Sequence, residues 1–180
     1  GKFNQKQFEK EVLDKFPALE LKQRIDWMVI VLARYLPENF DQALNILEDL
    51  LPPPLDPEKT DNDFGQFIWT IPGEYVAKFG CTESNPDKSL TFLGESTKRF
   101  TAENPIRPFL RQYPTESMSF IRKCALNKNY HVRRLASEGI RPFLPWAARA
   151  NVNHDEIFEV LELLKHDNTR YVIRSVANTL

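Results

Sequence analysis

The stretch Ile106-Arg107-Pro108-Phe109-Leu110 returns thirty-four residues later as Ile140-Arg141-Pro142-Phe143-Leu144, and a glutamate, Glu103 or Glu138, precedes each copy. A second echo follows at a longer spacing: His131-Val132-Arg133-Arg134 aligns with Tyr171-Val172-Ile173-Arg174, forty residues on. Periods in this range, punctuated by prolines that end or open helices, are the signature of stacked helical repeats. A lone helix pair cannot bury its apolar side, so neighbouring pairs stack into a curved solenoid. The sequence therefore predicts an all-α fold, an α-α superhelix in which the repeated Arg and Glu positions are neighbours on one concave surface.

Working outward, apolar residues recur at helical spacing in Ile25, Met28, Val29, Leu32 and Leu36, and again in Phe40, Ala43, Leu44, Leu47, Leu50 and Leu51. Asn39 is placed to cap the second of these helices, and the short connection around Pro37 predicts that the two form an antiparallel pair. The run Pro52-Pro53-Pro54-Leu55-Asp56-Pro57 must leave helical geometry. Beyond it Phe64, Phe67, Trp69, Tyr75 and Phe79 alternate with Gly65, Pro72, Gly73 and Gly80, which predicts short helices and loops with the aromatic rings in the core. The expected organisation is a single repeat domain over 1–180: N-terminal helices at about 5–51, the irregular aromatic segment at about 52–88, and C-terminal repeats at about 89–180.

Only six glycines occur and no hairpin turn separates alternating runs, against a sandwich or barrel. Cys81 and Cys124 make no metal-ligand spacing with His131, His154 or His166, so neither a metal site nor a disulfide framework is expected, and no cofactor is implied. No apolar stretch approaches the roughly 20 residues of a membrane span, and the N-terminus lacks the apolar run of a signal peptide. The expectation is a cytoplasmic protein without a membrane partner.

The formal charge of -1 conceals an asymmetry along the chain. Residues 1–97 carry a net -7, residues 98–149 a net +8 from eleven basic and three acidic side chains, and residues 150–180 a net -2. Positive charge concentrated in one third of a compact chain can present a basic face to a polyanion. Uneven scatter over a solvated surface is the other reading of the same numbers.

On a helix near 132–141, Arg134, Glu138 and Arg141 fall at i, i+4 and i+7 and share a face. Flanking cations favour an ionised carboxylate, as a group that must stay negative beside DNA requires. The same pattern also describes an ordinary ion-pair ladder on a solvated helix.

Three segments carry a family resemblance: 97–110 (TKRFTAENPIRPFL), 131–147 (HVRRLASEGIRPFLPWA) and 171–178 (YVIRSVAN). Together, in this order and spacing, they resemble the AlkC branch of the HEAT-like-repeat DNA glycosylases, and the likeness extends to the aromatic stretch and to the helices from Leu21. The resemblance implies a HEAT-like solenoid that acts as a monomer on double-stranded DNA and hydrolyses the N-glycosidic bond of positively charged alkylated bases, of the 3-methyladenine and 3-methylcytosine type. It places Glu103 and Glu138 at the positions of the family's active-site acids. It further implies DNA contacts from Lys98, Arg99, Arg107, Arg133, Arg134, Arg141, Arg149, Arg170 and Arg174, with Trp146 beside the damaged nucleotide or in the core. This chain departs from the family pattern at Phe143 and Ile173, where basic residues are usual, and at Asn104-Pro105, where Phe-Ala is usual; the proline is expected to re-angle the helix carrying Glu103. A HEAT-like paralogue that binds distorted or branched DNA without removing bases remains the other function class open to the sequence.

Overall fold

The computed structural model describes residues 3–59, 64–82 and 84–180, all helix, turn or loop with no strand among them. Ten α-helices follow in order: α1 Gln5–Lys15, α2 Leu21–Ala33, α3 Phe40–Leu50, α4 Thr70–Phe79, α5 Pro86–Ser96, α6 Arg107–Gln112, α7 Pro114–Ala125, α8 Tyr130–Ile140, α9 His154–Leu164 and α10 Arg170–Thr179. Polar residues set many of the starts. The Asn39 side chain accepts from the Gln42 amide at 3.0 Å, as its position predicts, and Asn129 and Asn153 accept from the amides of His131 and Asp155. Glu20 and Gln23 close a reciprocal cap on α2.

The expected pairing of α2 with α3 is replaced by another arrangement. Helix α2 packs chiefly on α4 and α1, and α3 lies against α4. The reason is the segment after the proline run, which holds a well-formed helix. Pro72 sits in the first turn of α4, where its missing N–H leaves no helical hydrogen bond unmade. Gly73 lets α4 approach the turn before α6, since a β-carbon there would stand 3.1 Å from the Pro105 ring. Residues 60–63 and 83 of the expected irregular segment lie outside the described residues. Of its aromatic side chains, Tyr75 is in the core, Trp69 is half-buried, and Phe64, Phe67 and Phe79 are exposed, so most of this group is surface rather than core. Leu55 donates its amide to the Lys98 carbonyl at 2.8 Å, pinning the proline run to the end of α5.

One continuous apolar core runs from Val29 to Val176. In the C-terminal half α7 pairs with α8, α8 with α10, and α9 packs on both α7 and α8. The forty-residue echo is a true structural repeat: His131 and Tyr171 stand second in α8 and α10, and their rings meet at 5.7 Å. The thirty-four-residue echo is not. Its first copy opens α6, whereas its second starts on the last residue of α8 and leaves the helix at Arg141.

Candidate active site and nucleic-acid interface

The two glutamates arrive from different local structures. Glu138 projects from the last turn of α8, and Glu103 from the turn that links α5 to α6, so Pro105 follows a turn residue and re-angles no helix under Glu103. Both are buried, at 5% exposure for Glu103 and 3% for Glu138. Arg134 joins them. Its guanidinium donates to Glu103 Oε2 at 2.7 Å and to Thr101 Oγ1 at 2.8 Å, and lies 3.6 Å from Glu138 Oε2. The Glu138 oxygens also accept from Arg141 Nη1 at 3.0 Å and from the Ser175 hydroxyl at 2.7 Å, across the interface of α8 and α10.

Arg134 is stacked as well as paired, with its guanidinium carbon 4.6 Å from the centre of the Tyr171 ring. Burial alone would weaken its charge, but Glu103, Tyr171 and Glu138 outweigh burial and hold it above the ordinary arginine range. Burial pushes the Tyr171 phenol up to about 12, against the pull of Arg134. The ring therefore stays neutral, a flat face for the cation. The two carboxylates share this held cation, with Arg141 and Arg107 also beside them, so the cluster supplies two oriented carboxylates in a nearly water-free spot, where the field of each acts at short range with little screening.

The cations expected at the interface separate into two groups. Arg107 is 1% exposed and is a clamp rather than a phosphate contact. Its guanidinium donates to the carbonyls of Ala148 at 2.6 Å, Arg141 at 2.7 Å, Glu103 at 3.3 Å and Glu138 at 3.5 Å. It thus ties the backbones of both acids together; burial lowers its pKa, and Glu103 and Glu138 oppose the shift. Arg133 likewise closes on Asp167 at 2.5 Å and on the carbonyls of Asn127 and Lys128. Arg99 binds the Pro52 carbonyl and Glu95, and Lys98 pairs with the same Glu95 at 2.5 Å. Much of the positive charge of 98–149 is therefore turned inward, and its sum overstates the basic surface.

Arg149 and Arg170 are exposed, while Arg141 and Arg174 are half-buried. Arg149 rests on the exposed Phe143 ring at 4.1 Å, and Arg174 lies 5.9 Å from Tyr171, so Arg134 and Arg174 flank one aromatic ring. Trp146 is 51% exposed and outside the core; Lys22 of α2 donates to its carbonyl at 2.5 Å. A cleft of about 370 Å³ opens there between α2, the start of α4 and the Phe100–Asn104 turn, with Glu103 on its wall. A larger groove between α5 and α7 contains neither Glu103 nor Glu138. Among the described residues no cluster of three or more His, Cys, Asp or Glu side chains is placed to hold a metal ion, and no helix is long and apolar enough to cross a membrane.

The fold matches that of Pseudomonas fluorescens alkylpurine DNA glycosylase AlkC, solved bound to DNA containing an abasic site analog, with a TM-score of 0.84 and 30% sequence identity over 98% of this chain and 47% of that one. Over nearly its whole length this chain is similar to the AlkC branch of the HEAT-like-repeat proteins. It is also 32% identical over 171 residues to YhaZ, an uncharacterized protein of Bacillus subtilis (strain 168), which accounts for 93% of this chain and 44% of YhaZ. The chain thus spans about half the length of these relatives. No family model matches it.

Within this AlkC-type solenoid, four polar partners escaped the sequence reading. Thr101 and Ser175 hydrogen-bond the two acids, and Tyr171 supports Arg134. All three lie in or beside the repeated motifs, so their signal was proximity to the glutamates. Glu74, in the cleft with Glu103, had no such signal, because nothing in the local spacing of α4 marks it.

Proposed function

We propose that this chain is a DNA glycosylase of alkylation repair that hydrolyses the N-glycosidic bond of positively charged N-alkylated bases, of the 3-methyladenine and 3-methylcytosine type, in double-stranded DNA. The observation that carries the reading is the pair of buried acids, Glu103 and Glu138, joined through one stacked arginine in an AlkC-type solenoid. A base alkylated on a ring nitrogen already carries positive charge, so its bond to the sugar is weakened before the enzyme acts. What remains is to stabilise an oxocarbenium-like sugar and to orient a water, and a carboxylate in a dry site does both. Glu138, held on two sides by Arg141 and Ser175, is the better placed to keep a fixed orientation. Arg141, Arg149, Arg170 and Arg174 are the proposed phosphate contacts.

One observation favours a second reading, a DNA-binding paralogue without base removal. Glu138 is nearly inaccessible and both its oxygens are engaged, and apolar Phe143 and Ile173 stand among the cations. Single-turnover incubation with duplex DNA containing one 3-methylcytosine, followed by detection of released base, separates the two. Release well above the spontaneous rate supports the glycosylase; salt-sensitive binding without release supports the binder.

A further inference from the structure

The segment after α3 contributes a contact to the site from outside the helices that carry it. Residues 52–55 and 64–67 are both fastened to the stretch that leads into Glu103. Arg99 donates to the Pro52 carbonyl at 2.8 Å, and the Leu55 amide donates to the Lys98 carbonyl at 2.8 Å. Gly65 lies directly against the Arg99 carbonyl with a φ of +71°, in the left-handed region, and a β-carbon there would overlap that carbonyl. Conformation and space both call for glycine at this position, so the close approach is written into the sequence. Phe67 closes the seat, its ring standing edge-on to Phe100 at 5.6 Å.

From this seat Phe64 reaches α10. Its ring meets that of Tyr171 edge-to-face, with centres 5.3 Å apart. Tyr171 also contacts Arg134, Arg174, Tyr130 and His131, but these four come from α8 and α10 themselves, whereas Phe64 arrives from the Glu103 side. Tyr171 is 2% exposed and Phe64 47%, so a half-exposed ring helps to bury the one on which Arg134 stacks. The contacts form a closed circuit. It runs from the stretch before Glu103 through Phe64 and Tyr171 to Arg134, which returns to Glu103 at 2.7 Å and faces Glu138 at 3.6 Å.

We propose that residues 64–67 form a strap across the site and that Phe64 is a positioning residue, holding Tyr171, and through it the Arg134 guanidinium, where one cation spans both acids. The strap also keeps water from the stacked face of Arg134, so the charges beside it stay weakly screened. Its effect on rate rests on the glycosylase reading; the positioning rests on the contacts alone.

The test compares the whole chain with Phe64→Ala and with Phe64→Tyr, which keeps the ring, after cooperative thermal unfolding has shown both variants to be folded. The first readout needs neither DNA nor activity: hydrogen exchange of the Arg134 guanidinium protons, followed by NMR. Phe64→Ala is expected to speed it by about tenfold, the scale of one edge-to-face aromatic pair, and Phe64→Tyr to leave it within about twofold of the parent. A residue that merely packs would lower the unfolding temperature and leave this exchange unchanged. The second readout is single-turnover release of 3-methylcytosine from duplex DNA. The rate is expected to fall about tenfold in Phe64→Ala, with duplex affinity held within about twofold, and to recover in Phe64→Tyr. Unchanged exchange in Phe64→Ala, a loss of affinity in place of rate, or no recovery in Phe64→Tyr would each overturn the proposal. The two readings fail separately. Exchange governed by Phe64 in a parent chain that releases no base counts against the glycosylase alone, and base release that ignores Phe64 counts against the strap alone.

Discussion

The two copies of Ile-Arg-Pro-Phe-Leu share every residue and almost nothing else. In the copy at 106–110, Arg107 and Phe109 are as buried as any side chain in the molecule; in the copy at 140–144, Arg141 is half-buried and Phe143 is 60% exposed. Only the outer members behave alike, since Ile106, Leu110, Ile140 and Leu144 all lie in the core. The difference follows from where the proline falls. Pro108 occupies the first turn of α6, so the following residues wind into a helix that carries Phe109 inward. Pro142 follows the end of α8, so the same residues run on as loop. A repeated sequence thus marks two core anchors, while the local backbone decides whether the arginine between them is a clamp or a surface cation.

Removing the arginines should show this contrast at its largest. Arg107→Ala leaves buried carbonyls of Glu103, Arg141 and Ala148 without a donor and is expected to destabilise the fold by roughly 3–5 kcal/mol. Arg141→Ala should cost less, about 1–3 kcal/mol, because Arg141 is part-exposed and the buried Glu138 it leaves keeps Arg134 and the Ser175 hydroxyl. Urea unfolding of both variants measures the gap, and equal losses would break the comparison. The phenylalanines should follow the same order. Phe109→Ala is expected to cost about 3–5 kcal/mol through the cavity it leaves, and Phe143→Ala under about 1 kcal/mol, mainly through its contact with Arg149.

A smaller effect belongs to the pH dependence of the other repeat, where Arg133 closes on Asp167. Burial would raise the Asp167 carboxyl, but hydrogen bonds from Arg133 and Thr169 outweigh it and hold the group below the usual carboxylate range. The unfolded chain has the ordinary value, about 3.9, so this stabilisation is present above that pH and is lost as pH falls through the lower folded value. Thermal unfolding between pH 6 and pH 2 should show a steeper decline in the parent chain than in Arg133→Gln. The smallest expected change is in salt dependence. Arg149→Gln should reduce the slope of log affinity for duplex DNA against log salt by about 1, whereas Arg133→Gln, whose guanidinium is turned inward, should leave it unchanged.

The helical class, the Asn39 cap and the equivalence of α8 and α10 were all legible in the sequence, because each rests on a local rule: periodicity, cap chemistry, or a repeated helix start. Helix α4 was hidden by Pro72-Gly73, which reads as a turn until the buried approach of Pro105 is known. The site was legible as a pair of glutamates and a row of arginines. The inward direction of Arg99, Arg107 and Arg133 was not, since carbonyls and carboxylates that hold them come from residues 34 to 47 positions away. Glu74 was invisible for the same reason, as its partner Asn104 stands thirty residues on.

The central claim is that Glu103 and Glu138 act as one unit around Arg134, and single-turnover release of 3-methylcytosine from duplex DNA by Glu103→Gln, Glu138→Gln and the double variant tests it directly. The account predicts that Glu138→Gln lowers the rate by about 100-fold or more, that Glu103→Gln lowers it substantially, and that the double variant is little worse than the weaker single one, with duplex binding retained in all three. Unchanged release in both single variants, or losses that simply multiply in the double variant, would contradict it.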